Sequence, residues 1–77
     1  MNYEYKAITI DNQPRYFDTT LNYQLIPYLN DGWEILLQTP VTQIEEEIYF
    51  PIEAGIRKGD KITKLCVTFI LRKKIIL

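Results

Sequence analysis

Residues 21–39 read LNYQLIPYLNDGWEILLQT and join a helical pattern to a strand pattern at one glycine. Apolar side chains recur at helical spacing in the first half, at Leu21, Leu25 and Leu29, with Ile26 and Tyr28 beside them. This spacing predicts an amphipathic helix that ends at Asn30-Asp31-Gly32, because glycine tolerates the left-handed conformation that often follows a helix. From Trp33 to Thr39 apolar and polar residues alternate, which predicts a strand.

Residues 18–20 can cap the start of this helix, and Pro27 lies within it. Asp18, Thr19 or Thr20 can accept a hydrogen bond from a backbone N–H of the first turn, so we expect one of them to cap the helix. Residues 15–18 are then expected to be extended. Pro27 lies inside the pattern, where a proline costs about 3 kcal/mol. Either the helix bends there, or two short helical turns meet with Pro27 opening the second.

Outside this stretch, alternation predicts three more strands, at residues 3–10, 41–50 and 61–76. Residues 11–14 have turn chemistry, and residues 53–60 contain two glycines and are expected to form a loop. The predicted order is β-α-β-β-β in a single domain spanning residues 1–77. The fold class that satisfies it is α+β: a small antiparallel or mixed sheet of three to four strands, with one helix packed on one face.

The composition excludes several classes of function. The chain has 77 residues with no histidine, no serine and one cysteine. Ser–His and Cys–His catalysis need an imidazole base, and the lone Cys66 can form neither an internal disulfide nor a zinc site without histidine. A net charge of −1 argues against a nucleic-acid partner. No apolar run approaches a membrane span or a secretory signal, so we expect a cytoplasmic protein. Because histidine and serine are missing, we also expect no enzymatic activity, and we expect no cofactor.

Three segments together resemble a known family. They are Tyr3-Glu4-Tyr5-Lys6, Leu21-Asn22 running on to Gly32-Trp33-Glu34-Ile35, and Phe69-Ile70-Leu71-Arg72-Lys73. This is similar to the domain of unknown function 4177 family, small β-α-β-β proteins of bacteria and their phages. The chain differs from that pattern at Pro27 and in a long segment between the second and last strands, roughly residues 41–61. The resemblance implies the fold and supplies no reaction or catalytic residue.

Two groups of charged residues are candidate ligand sites. Arg57 and Lys58 lie beside glycines, and Arg15 and Tyr16 follow the first strand, so together they form a hypothetical site for an anionic or planar ligand. A solvated hairpin turn explains the same residues more simply. In the run at residues 45–47, Glu45 and Glu47 share one strand face and form a candidate pair for acid–base or cation chemistry. A charged edge strand that resists aggregation is the simpler explanation.

The end of the chain suggests an interface. Ile75, Ile76 and Leu77 are three large aliphatic residues in succession, and they follow the basic run Arg72-Lys73-Lys74. A second subunit is a plausible host for them, because so small a chain has a thin core. We interpret the basic run as solubilising, Cys66 as a packed small residue, and Trp33 as the anchor between helix and sheet.

The function predicted first is a non-enzymatic accessory or protein-interaction domain that forms a homo-oligomer and acts through its sheet surface and residues 41–61. The alternative is an oligomeric binder of an anionic small ligand such as a nucleotide. A carboxylate-dependent enzyme built on Glu45 and Glu47 is the third hypothesis.

Overall fold

A computed structural model describes residues 2–52 and 55–76 of the chain, and the side chains of residues 2–47, 59 and 61–76. The described elements are β1 (Tyr3–Asn12), α1 (Pro14–Asn30), β2 (Glu34–Gln38), β3 (Thr42–Ile52) and β4 (Gly55–Lys74). All strand pairs are antiparallel. One helix and a four-stranded antiparallel sheet in the order β-α-β-β-β confirm the predicted α+β class.

Strand β4 is the common partner of the other three strands. On one edge it pairs with β1, from Tyr3 opposite Lys74 to Asn12 opposite Leu65. On its other edge it pairs first with β2 and then with β3, which lie end to end. The sheet is therefore three strands wide only along the C-terminal half of β4.

The break between β2 and β3 is bridged by two threonines. The Thr39 N–H donates to the Thr68 carbonyl at 2.9 Å, and the Thr68 N–H donates to Thr39 Oγ1 at 2.9 Å. Pro40, which has no N–H to give, follows directly. The side chain of Thr39 thus replaces a missing backbone acceptor, and the two strands follow β4 as one interrupted edge.

Helix α1 begins earlier than the sequence predicted. Pro14 occupies its first turn, where the fixed φ of proline suits a helix and its missing N–H has no intrahelical acceptor. The Asn12 side chain supports this start by accepting from the Gln13 N–H at 2.8 Å and donating to Thr20 Oγ1 at 2.8 Å. The expected extended segment at residues 15–18 was wrong, and so was the expected cap at residues 18–20, because both lie inside the helix.

The core lies between α1 and the face of the sheet formed by alternate residues of β1 and β4. Its buried members are Ile10, Phe17, Leu25, Val67, Phe69 and Leu71, and Ile8, Leu21, Tyr28, Trp33 and Leu65 pack against them. The predicted alternation of β4 is confirmed. The predicted helical stripe is partly wrong: Ile26 and Leu29 are exposed, because the helix face that packs on the sheet runs through Phe17, Leu21, Leu25 and Tyr28.

The helix continues through Pro27 and ends as predicted. Gly32 has a φ of +92°, and the Asp31 N–H donates to the carbonyls of Pro27 and Tyr28. The Trp33 N–H donates to the Tyr28 carbonyl at 3.1 Å, and the two rings meet edge to face with centroids 6.5 Å apart. Trp33 therefore fixes the helix end to the sheet, in the turn just before β2.

Strands β3 and β4 run further than predicted. Their pairing continues from Thr42 opposite Cys66 to Ile52 opposite Gly55, so residues 55–60 are strand where a loop was expected. The ladder shifts its register once, between Glu47 and Tyr49. The glycine signal was misleading because a paired strand can include glycine at a small cost. Glu53 and Ala54 lie outside the described residues. The principal extents are 61 × 22 × 17 Å and the radius of gyration is 17.4 Å, whereas a compact chain of this length has about 11.5 Å.

Candidate functional site

The elongation comes from a two-stranded arm, formed by residues 43–52 of β3 and 55–64 of β4. Strand β1 ends opposite Leu65, so these residues pair only with each other among the described strands. Helix α1 contacts β1 and β4, and no comparable contact with β3 occurs in the described part of the chain. A two-stranded hairpin alone is marginally stable in water. The arm therefore offers backbone edges that no third described strand pairs with.

The described part of the arm carries opposite charges on its two strands. Lys64 Nζ lies 2.9 Å from Glu46 Oε2. The hydrogen bond to Glu46, joined by the attraction of its charge, raises the pKa of Lys64 against the opposing effect of desolvation. Both side chains keep contact with solvent, so this pair fixes the strand register more than it stabilises the fold.

The two glutamates of the enzymatic hypothesis lie on the other face of the arm. In the register, Glu45 is opposite Thr63 and Glu47 is opposite Lys61. No group of three metal-ligating side chains occurs among the described residues. Both glutamates are exposed, and on their face of the arm they lie beside a threonine and a lysine.

A shallow cleft lies where the arm leaves the body of the protein. It has a volume of about 400 Å³ and is lined by Gln13, Pro14, Arg15, Lys61, Ile62 and Thr63. Arg15 also lies over the ring of the adjacent Tyr16, with 5.6 Å from the guanidinium carbon to the ring centroid. The structure thus places Arg15 beside Lys61, a residue that the sequence did not single out because it lies far along the chain.

The other two residues of the predicted ligand site are not placed beside Arg15. The side chains of Arg57 and Lys58 lie outside the described residues. In the strand register these two residues are opposite Phe50 and Tyr49. Lys58 is three positions further out than Lys61, which is about 10 Å along a strand. The four-residue cluster of the sequence hypothesis therefore divides between the base of the arm and its outer part.

The predicted apolar interface at the chain end is only partly described. The Ile75 N–H donates to the Asn2 carbonyl at 2.9 Å, which extends the pairing of β1 and β4 by one residue. Ile75 is half-buried, whereas Ile76 is 89% exposed. Leu77 lies outside the described residues. That a second subunit buries the exposed side chain of Ile76 stays a prediction.

The basic run beside it is engaged by neighbouring acidic groups. Arg72 donates to a Glu34 carboxylate oxygen, and Lys73 Nζ lies 3.1 Å from Asp31 Oδ2. Their side chains leave opposite faces of β4. The hydrogen bond to Glu34 raises the pKa of Arg72. These pairs engage two of the three basic residues of the run.

A second cleft lies between α1 and the free edge of β1. It has a volume of about 500 Å³ and is lined by Ile8, Thr9, Tyr23, Gln24, Pro27 and Tyr28. Tyr23 is 82% exposed. Sequence reasoning passed over this site, although Tyr23 and Pro27 are four residues apart on one flank of the helix and could have indicated an apolar wall.

Comparisons with known proteins identify no relative of the chain. No family model, no curated protein and no solved structure matches the chain. The resemblance to the domain of unknown function 4177 family therefore stays a prediction. No helix among the described residues is both long and apolar enough to cross a membrane.

Proposed function

We propose that this protein is a small non-enzymatic interaction domain that assembles into homo-oligomers, with the arm as a contact element between copies. The observation that carries the proposal is the arm itself, which extends a small body to 61 Å in length. The family resemblance supports a bacterial or phage protein, and the single cysteine of the sequence fits a reducing, cytoplasmic interior.

The accessible surface supports assembly quantitatively. The chain exposes 6059 Å², whereas a compact monomer of its mass exposes about 4,900 Å². The surplus is about 1,100 Å², and a standard interface removes about 800 Å² from each partner. The buried apolar core is also small, with six buried side chains among the described residues. An interface between copies would bury this extra accessible surface and so add apolar burial that the single chain lacks.

Measuring the molar mass by light scattering across a concentration series tests the proposal. We expect a mass above 9.2 kDa at tens of micromolar. A full-length chain that stays at the monomer mass contradicts self-association.

A shortened chain tests the role of the arm. Glu46 of β3 lies opposite Ile62 of β4. The hydrogen bonds between Thr68 and Thr39 show that even-numbered residues of β4 direct their N–H and C=O groups toward the edge that pairs with β2 and β3. Glu46 and Ile62 are therefore a hydrogen-bonded pair. Replacing residues 47–61 by Asn-Gly therefore joins Glu46 to Ile62 through a two-residue turn of matching geometry. We expect this variant to keep its circular dichroism spectrum and to form smaller assemblies. Assemblies of unchanged mass would exclude the arm as a contact.

The cleft at the base of the arm favours a second candidate function, binding of an anionic small ligand such as a nucleotide. Arg15 and Lys61 both line it, and two cations in one cleft suit a phosphate. Glu47 opposite Lys61 opposes this by its own negative charge. Thermal shift with a nucleotide panel tests the binding. A shift that is lost in Arg15→Ala and kept in Lys74→Ala supports it, and no shift with any nucleotide contradicts it.

A further inference from the structure

We propose that β1 of one copy pairs antiparallel with β1 of a second copy, with Tyr5 facing Tyr5 across a two-fold axis. This pairing rests on the proposed self-association, and it adds the edge of β1 as a surface through which two copies make contact. The two sheets would become one continuous sheet of eight strands, with both helices on the same face.

The outer edge of β1 is an open strand edge. Among the described residues, β1 pairs with β4 alone, over ten consecutive positions without a register shift. It contains neither proline nor bulge, the features that usually protect an edge from further pairing. Its length and regularity make it a template for another strand.

Two hydrogen bonds fix which backbone groups face outward. The Ile75 N–H donates to the Asn2 carbonyl, so even-numbered residues of β1 bond to β4. Thr68, opposite Thr9, instead bonds to Thr39 on the other side of β4. The odd-numbered residues Tyr5, Ala7 and Thr9 therefore direct their N–H and C=O groups to the open edge. A second strand can satisfy these groups only if its own odd-numbered residues face them.

Charge selects one register among those that remain. With Tyr5 on the axis, Glu4 of each copy lies opposite Lys6 of the other, so two pairs of opposite charge form across the edge. With Ala7 on the axis, Lys6 faces Ile8 instead and neither charge has a partner. The Tyr5 register is thus the one in which β1 is complementary to itself.

The surroundings of the edge leave room for the incoming strand. Lys6 Nζ lies 5.2 Å from the Tyr28 ring centroid and 5.6 Å from that of Trp33, on the helix side of the sheet, which is also the side on which Glu4 of the second copy would meet it. The cleft of about 500 Å³ beside Ile8 and Thr9 separates the edge from α1. In this register Asn2 of the second copy lies opposite Ile8 and enters that cleft.

The opposite face of the sheet gains aromatic contact in the same register. Tyr5 is 62% exposed, and its ring centroid lies 6.5 Å from that of Tyr3. Pairing across the axis brings the two Tyr5 rings side by side, with Tyr3 of each copy opposite Ala7 of the other. Cross-strand aromatic pairs are among the more stabilising pairs in antiparallel sheets.

Cysteine cross-linking tests the axis. In a Cys66→Ala background, Tyr5→Cys places two thiols on the axis, with about 5.5 Å between Cα atoms, within the range of a disulfide. Ala7→Cys is the matched control on the same face, because its two copies lie about 13 Å apart along the strands. We expect a covalent dimer from Tyr5→Cys and none from Ala7→Cys under mild oxidation. Equal cross-linking of both, or of neither, overturns the register.

Charge reversal tests the pairing independently. Glu4→Lys and Lys6→Glu each place like charges across the edge, and we expect each to weaken self-association about tenfold. An equimolar mixture of the two single variants should recover the affinity as a mixed dimer, because one copy then carries two acidic and the other two basic residues. A folding defect would not be repaired by mixing. Failure to recover overturns this interface, whereas a wild-type chain that never self-associates contradicts the proposed function as well.

Discussion

Replacing Pro27 by alanine is expected to stabilise the protein. Pro27 lies inside α1, and its ring removes the N–H that would otherwise donate to the Tyr23 carbonyl one turn earlier. The side chain is exposed, so its removal creates no cavity in the core. Alanine restores the backbone hydrogen bond and relieves the contact of the ring with the preceding turn.

The size of the effect follows from two opposing contributions. Proline in a helix interior is about 3 kcal/mol less favourable than alanine. Alanine also gives the unfolded chain more conformational freedom, which costs about 0.4–1 kcal/mol. The expected net gain is about 2 kcal/mol, which corresponds to a rise in melting temperature of roughly 8–16 °C for a domain of this size.

Urea unfolding followed by Trp33 fluorescence measures this gain, because Trp33 packs against the helix end. Asn22→Ala, at an exposed position of the same helix, is the control and should gain less than about 0.7 kcal/mol. An unchanged or lower midpoint for Pro27→Ala would refute the reasoning. It would mean that the contact of the ring with the β1 cleft contributes more than the backbone bond.

Three other substitutions test the core, the helix end and the arm. Leu71→Ala, at a fully buried side chain, should cost about 2–5 kcal/mol in urea unfolding, and the 64% exposed Leu37 should tolerate alanine within about 1 kcal/mol. Gly32→Ala should cost about 1–2 kcal/mol by the same assay, because φ is +92° and the added Cβ would meet Lys73 only at an ordinary 3.7 Å. Glu46→Gln should lower the pKa of Lys64 in an NMR titration. Because that pKa is raised in the folded wild type, the pair's contribution is present at neutral pH and is lost as the pH rises through the pKa, and a titration unchanged by the substitution would contradict the contact.

The sequence predicted the elements well where one signal acted alone. Alternation along β4 identified Val67, Phe69 and Leu71 as one face, and all three are buried. Gly32 ended the helix as expected, because its conformational freedom is local to one residue. These features depend on periodicity and backbone sterics, which neighbouring residues in the chain determine.

Errors arose where two local signals competed. Residues 11–14 carry turn residues, yet Pro14 also suits the first turn of a helix, and the Asn12 bond to Thr20 decided for the helix. That contact spans two elements and cannot be derived from spacing. The arm was missed for a similar reason, because glycines in residues 55–60 indicate a loop unless a partner strand lies beside them.

The candidate sites were harder to predict than the fold. The cleft that unites Arg15 with Lys61 exists because the arm leaves the body beside the start of α1. The edge of β1 is open because β1 lies at the side of the sheet, next to β4. Both are consequences of sheet order, and strand alternation alone is compatible with several orders.

The position of β4 at the centre of the sheet has a consequence for protein synthesis. Every pair among the described strands includes β4, and Tyr3 pairs with Lys74 across nearly the whole chain. On the ribosome, β1 and α1 emerge first. The apolar side chains of Phe17 and Leu25 then stay exposed to solvent until β4 emerges and the sheet that covers them can form. Pairing between such distant residues is slow to form. No native pair among the described strands can therefore form before β4 is synthesised, and a chain that terminates before β4 has none of these ladders.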